Sequence, residues 1–374
     1  MNNIVKQGIT KVPFTPYDIF GYLIPGSFFL IGTYLFDILI VHNFNNSNFY
    51  PIYSVLDLSV KNIGNNFLLG TIYLGVLIII AYVLGHIIAS MSSHFLDRIL
   101  IEKGHGYPLQ LLLKMNKEVM RKGRISAYFR GAFFWINSYL VLQYSGYVFN
   151  IKFFTSFANF IIYFFLVYSF ISLIFLILYR INPEVDHSRI DHAFFNFIKR
   201  IYNYSMFYLF AGPYDLITYL YSILTRTRET FDDTFITKYK NYFESNFAYS
   251  AEAAGTNNYW FSFLYVSEKS PFANSLISTW LFLYSFARNL ATCLFILFLY
   301  AFASLMYQHN NLIFNDSNYY LLLIPFVCFL GYLIMLTRYY YLYKNYYTKF
   351  IIRSFVFFNE LEHKHKNVIQ ETGS

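Results

Sequence analysis

Apolar runs of about twenty residues recur along this chain and are set apart by polar stretches; a helix needs about that length to cross a hydrocarbon core of about 30 Å. They lie at 19 to 41, 66 to 90, 131 to 151, 157 to 179, 289 to 307 and 319 to 337. Each predicts a membrane-spanning helix. The first is interrupted near its start by Pro25-Gly26, which predicts a kink or a late helix start. Short links pair the later runs into hairpins. The third and fourth are separated only around Lys152, and the loop between the fifth and sixth has Asp316 as its single charge. The expected fold is therefore all-α: a polytopic membrane protein of six transmembrane helices, with four as the alternative, carrying a helical cytoplasmic domain.

Charge gives the orientation. Residues 97 to 130 hold eight Lys or Arg against three acids, and the stretch after Thr337 is again basic. Basic loops stay on the cytoplasmic side, so both regions face the cytoplasm and an even number of crossings must separate them. Either 131 to 151 and 157 to 179 both cross or neither does. With six spans both termini are cytoplasmic, and the Asn-rich loop from 42 to 65 faces outward. The chain divides into an N-terminal membrane hairpin (1–90), a basic loop (91–130), a second hairpin (131–179), a cytoplasmic helical domain (180–288), a third hairpin (289–337) and a basic tail (338–374). In the 180–288 segment, the apolar stretches 205 to 224 and 275 to 286 read as helices, the second running straight into the fifth span.

Composition agrees with this class. Hydrophobic residues make up 57% of the chain and charged residues 13%, against about 25% charged in soluble domains. Met1 to Asp18 is mixed and polar, and the apolar run that follows is long and lacks a small-residue cleavage site, so it reads as a retained anchor. The excess of +8 lies on the inner face, where it meets anionic lipid headgroups. Ten basic and ten acidic residues balance between 180 and 288, and Lys114, Lys117, Arg121, Lys122 and Arg124 carry topology signal, so no nucleic-acid partner is expected. The expected partners are the lipid bilayer, further copies of the chain and a cytoplasmic protein.

Polar residues in apolar runs are the candidate functional points, because ionisable groups are costly in hydrocarbon. His86, Ser90, Ser93 or His94, and Asp97 recur every three or four residues, which places them on one side of a helix. Beside them, Ala81, Gly85, Ala89 and Ser93 form a small-residue stripe that favours close helix packing. Asp18, His86 and Arg288 fall near the inner membrane edge and can meet there, as a proton-responsive latch or ion gate, or as a structural network joining three helices. Asn289 follows Arg288 at the same level. The candidate polar network is thus Asp18, His86, Ser90, His94, Asp97, Arg288 and Asn289. Asp37 lies too far along its helix to join it, and is expected in an outer vestibule or at the interface.

No catalytic, cofactor or metal site is expected. His86 and His94 lack a carboxylate at ligand spacing, Asp186-His187 and Asp191-His192 are offset by five residues, and His363 and His365 flank Lys364 in a polar tail. Cys293 and Cys328 read as small buried hydrophobes. The chain has no P-loop, nucleophile elbow or dinucleotide fingerprint.

Several short segments resemble a group of uncharacterised bacterial inner-membrane proteins. They are the progression of Gly85-His86, Ser92-Ser93 and Gly106-Tyr107-Pro108, the segment Tyr284-x-Phe286-x-Arg288-Asn289, and the Tyr22 to Gly26 region. Together they cover about a quarter of the chain. What the resemblance implies is an accessory or effector role in antiviral defence, exercised in the inner membrane. The expected function is a non-enzymatic membrane component that senses or transmits a signal, by opening or perturbing the membrane as an oligomer. The alternatives are a small-solute or ion transporter and a membrane-embedded enzyme built on His86, His94 and Asp97.

Overall fold

The computed structural model describes residues 18–44, 67–105, 107–115, 124–148, 151–181, 204–224, 230–251, 257–311, 321 and 323–372. Most of the 42–65 loop expected to face outward and the histidines at 187 and 192 lie outside them. All regular structure among the described residues is helical. Five helices are long and apolar enough to cross a membrane: Ile19–Leu39, Gly70–Arg98, Lys152–Ile171, Pro271–Leu305 and Leu323–His365. The helical membrane class therefore stands.

The chain forms two compact units, divided at Leu96/Asp97 and at Thr230/Phe231. In the first, a π-helical turn, Ile19–Leu23, leads into α1, Ile24–Phe44, and α2 is Phe67–Ser92. Two shorter helices, α7 (Asp233–Phe247) and α8 (Asn257–Lys269), precede α9 (Pro271–Asn311); α10 is Leu323–Tyr341 and α11 is Lys349–Thr372. A π-helical stretch, Leu342–Thr348, joins α10 to α11 without a break. The start of α9 follows from two residues. Ser270 Oγ accepts the Ala273 N–H at 3.2 Å, and Pro271 occupies the first helical position, where its missing N–H costs nothing.

Side-chain contacts fix the helix directions. Pro25 meets Cys293, Gly32 meets Leu297 and Phe36 meets Tyr300, so α1 and α9 run parallel. Gly26 meets Ala81 and Tyr22 meets Gly85, so α2 runs against α1. Tyr284 meets Tyr343, Phe295 meets Tyr332 and Phe298 meets Phe329, so α10 runs against α9. The four helices share a core in which Phe29 and Cys328 pack on Ile88, Cys293 and Leu297.

Beyond this four-helix part, α7, α8 and α11 form an aromatic bundle. Tyr239, Phe243 and Phe355 are fully buried, with Phe355 5.3 Å from Tyr239 and 6.3 Å from Phe243 between ring centroids. An aromatic collar lies between the two parts. Tyr284 stacks on Tyr343 at 5.0 Å and meets Tyr347 at 4.9 Å, and Trp280 lies 4.5 Å from Tyr346. Helix α9 passes through this collar unbroken.

The second unit contains the short α3 (Pro108–Leu112), then α4 (Arg124–Val148), α5 (Lys152–Ile181) and α6 (Gly212–Leu224), the last preceded by a π-helical stretch, Ser205–Ala211. Helices α4 and α5 form a hairpin around Gly146 and Thr155. The 180–288 segment is thus divided: residues 205–224 belong to the second unit, and α7, α8 and the start of α9 to the first. The 275–286 stretch does run straight into the fifth apolar run, within α9.

Candidate functional site

The crossing of α1, α2 and α9 begins from Pro25. Proline has no N–H to give to the carbonyl four residues back, so Pro25 makes no backbone bond to Gly21 O, which lies in the π-helical turn. Asn289 on α9 supplies a donor, its Nδ2 donating to Gly21 O at 2.6 Å. The Asn289 Oδ1 accepts from Ser92 Oγ on α2 at 2.5 Å and from Arg288 Nε at 3.2 Å. Asn289 and Ser92 are fully buried and Arg288 nearly so. One amide thus pins three helices and bonds the carbonyl that Pro25 cannot.

The α1–α2 contact is backbone on backbone. A Cβ at Gly85 would sit 1.9 Å from Tyr22 O, and one at Gly26 would sit 1.8 Å from Ala81 O. Only glycine permits either approach, so the Ala81, Gly85, Ala89 stripe does pack closely, as its spacing predicts. Around this contact the rings of Tyr22 and His86 stack at 3.7 Å and 19°, and Tyr82 meets His86 edge-on at 4.6 Å. Tyr82 OH points to Asp18 Oδ1 at 3.5 Å, the outer limit of a hydrogen bond.

The predicted residues therefore fall into groups. Asp18 and His86 share Tyr82 as a neighbour, and Arg288 joins the crossing through Asn289 and the Gly21 carbonyl. Ser90 and His94 are exposed, off the face of α2 that packs on α1, with His94 edge-on to its neighbour Phe95 at 5.7 Å. Asp97 lies in the π-helical continuation, Ser93–His105, whose wider turn changes the four-residue spacing of the stripe. It is the first residue of the second unit. Asp37 lines no open vestibule: it is fully buried and accepts a hydrogen bond from Tyr300 OH at 2.6 Å.

Sequence reasoning missed Ser92 as the buried serine and Tyr82 and Tyr22 as ring partners. A signal for Ser92 was present, since it lies seven residues beyond Gly85 and so continues the packed face, whereas Ser90 does not. Among the described residues, no group of three or more His, Cys, Asp or Glu side chains is placed to hold a metal ion. Of the segments that carry the resemblance, the Tyr22–Gly26 region, Tyr82–His86, Ser92 and Arg288-Asn289 meet at this crossing, whereas Tyr107-Pro108 lies in the second unit, Tyr284 at the collar, and Gly106 outside the described residues. Comparison with protein-family models, curated proteins and solved structures finds no match to the chain.

Proposed function

We propose that this chain is a signal-transmitting component of a bacterial inner membrane, working without catalysis as the membrane-perturbing part of a defence system. The observation that carries the reading is the continuity of α9. Its 41 residues run from the aromatic bundle, through the Trp280 and Tyr284 collar, into the four-helix part without a break. At about 1.5 Å per residue it is roughly twice as long as a hydrocarbon core is thick. A rigid element of that length carries a displacement of the bundle into the membrane, where it moves the Asn289 pin and with it α1 and α2.

The topology that goes with this reading has six spans. Helices α1 and α9 are parallel and α2 opposes α1, so the chain leaves α2 and enters α9 on the same face. An even number of crossings must lie between them. Helix α5 is apolar enough to be one, and α4, its hairpin partner, is the second. The basic 91–130 loop, the tail and the aromatic bundle are then all on the cytoplasmic side of the membrane, which is where a cytoplasmic partner would act.

The experiment inserts two glycines after Thr279, between bundle and collar, and follows membrane potential with a voltage-sensitive dye in cells expressing either form. The expected result is depolarisation by the native chain and its loss in the insertion variant, with both present equally in the membrane. Equal depolarisation by both overturns the coupling; none by either overturns the membrane-perturbing role. A second reading, an ion or small-solute transporter, draws on one observation, the Asp37 carboxyl buried within an apolar span beside Tyr300. Solute uptake abolished by Asp37→Asn, with no depolarisation by the native chain, would favour it.

A further inference from the structure

We propose that Ser205–Leu224, which the order of the apolar runs places in a cytoplasmic domain, is a membrane-interfacial helix whose apolar face lies among the acyl chains of the inner leaflet. The inference rests on the six-span reading for the side of the membrane, but its evidence lies within the second unit alone.

The first observation is charge. The twenty residues Ser205–Leu224 contain one ionisable acid or base, Asp215. Its Oδ1 lies 2.9 Å from Arg130 Nε, and its Oδ2 accepts from Arg130 Nη2 at 3.4 Å. Arg130 is only 2% exposed. A guanidinium at this depth needs a partner, and the pairing removes the net charge of both helices at the point where they meet. The same pairing accounts for an arginine six residues inside α4.

The second observation is the manner of contact. Phe210 fills the space beside Gly131, where a Cβ would come within 2.0 Å of its ring, and packs on Tyr128, Phe165 and Tyr168. Trp135 Nε1 donates to Phe210 O at 3.1 Å, and Tyr214 meets Phe133. Among the described side chains these contacts run from Ala127 to Trp135 on α4 and from Phe210 to Asp215 on the segment, beyond which Leu216 and Ile217 are exposed. The segment therefore leaves α4 after Asp215, beside the first turns of that helix. Those turns are the cytoplasmic end of that span.

The third observation is the face turned away from α4. Leu209, Leu216, Ile217 and Leu220 recur at helical spacing and are 63, 59, 53 and 51% exposed. Tyr204, Tyr208 and Tyr219, also exposed, flank them, as aromatic residues do at headgroup level. The neighbouring α5 presents a comparable apolar face, with Phe160, Val167 and Phe170 exposed. Because α5 is one of the helices apolar enough to span, the solvent of its outer face is lipid, and the Leu209–Leu220 stripe extends that surface at the membrane edge.

The test uses the full chain with Cys293→Ala and Cys328→Ala, carrying one environment-sensitive fluorophore at Leu216→Cys or Ile217→Cys. The protein is reconstituted into vesicles of phosphatidylethanolamine and phosphatidylglycerol containing either shallow or deep doxyl-labelled phosphatidylcholine. Labels at Phe160→Cys and Tyr249→Cys serve as lipid-facing and aqueous controls. The expected result is loss of most fluorescence at 216 and 217 with the shallow quencher, less with the deep one, and little with iodide. Quenching by iodide alone, as at 249, overturns the proposal. So does protection from both quenchers, which would place protein there, a second copy or a partner. If the label at 160 is also insensitive to lipid quenchers, the membrane reading of the second unit fails; if only 216 and 217 are insensitive, the interfacial helix alone fails.

Discussion

The helix crossing at Gly85 and the aromatic bundle around Phe355 solve the same packing problem by opposite means. At the crossing, the side chains are small or absent, the backbones touch, and specificity comes from one amide that bonds Gly21 O and Ser92. In the bundle, rings fill the core, Tyr239 OH and Ser262 Oγ share a buried hydrogen bond of 2.9 Å, and ion pairs such as Lys238–Glu360 decorate the surface. On the proposed topology, with the crossing in lipid and the bundle in water, the solvent explains the difference. Lipid tails are as apolar as leucine, so burying apolar area between spans gains little, and close approach and polar pins hold the helices together. In water, ring burial is the driving force at roughly 25 cal/mol per Å².

The largest effect expected is at Gly85. Gly85→Ala puts a methyl 1.9 Å from Tyr22 O and is expected to destabilise by about 3 kcal/mol or more, since backbone rather than a flexible side chain must move. Gly75→Ala, where nothing lies within 4 Å, is expected to be neutral or stabilising by up to about 1 kcal/mol. Unfolding in detergent, followed by helicity, compares them, and equal costs would remove the backbone contact from the account. In the bundle, Phe355→Ala is expected to cost about 3–5 kcal/mol through the cavity it leaves, read in the same assay.

Next is the amide. Asn289→Ala is expected to cost about 1–3 kcal/mol by orphaning buried partners, and Pro25→Ala sharpens the test by restoring a helical N–H opposite Gly21 O. In the Pro25→Ala background the loss should shrink; an unchanged loss would show that the proline's missing donor is not what Asn289 replaces.

A smaller effect is pH-dependent and confined to the bundle. Burial raises the Tyr239 phenol above its ordinary range, and burial with the nearby Glu362 carboxylate pushes Tyr265 up to about 12. The folded state therefore holds these protons more tightly than the unfolded chain. The stability they lend is complete below about pH 10 and is lost as pH rises beyond it. Tyr239→Phe should flatten that alkaline loss. Smallest of all is Glu360→Gln: both partners of Lys238–Glu360 are exposed to solvent, so less than about 1 kcal/mol is expected, shrinking further with salt.

The legible parts of this protein were those governed by local pattern. Apolar runs of membrane length became helices, 275–286 ran into α9, and the small-residue stripe became a helix contact. The polar crossing was legible only in part. Asp18, His86, Arg288 and Asn289 do gather there, Asp18 and His86 around Tyr82, and Arg288 with Asn289 at the Gly21 carbonyl. Ser90 and His94 face away because the packed face of α2 follows Gly85 to Ser92.

By itself, the sequence determined that the chain is built of helices long and apolar enough for lipid, because helical periodicity and span length are properties of contiguous residues. Only the tertiary structure decided that Asn289 answers Pro25 across 264 positions, that Gly85 lies against Tyr22, that Arg130 neutralises Asp215, and that the 180–288 segment is shared between two units. Each is a pairing of distant residues, set by which helix faces meet, and no local pattern carries that information.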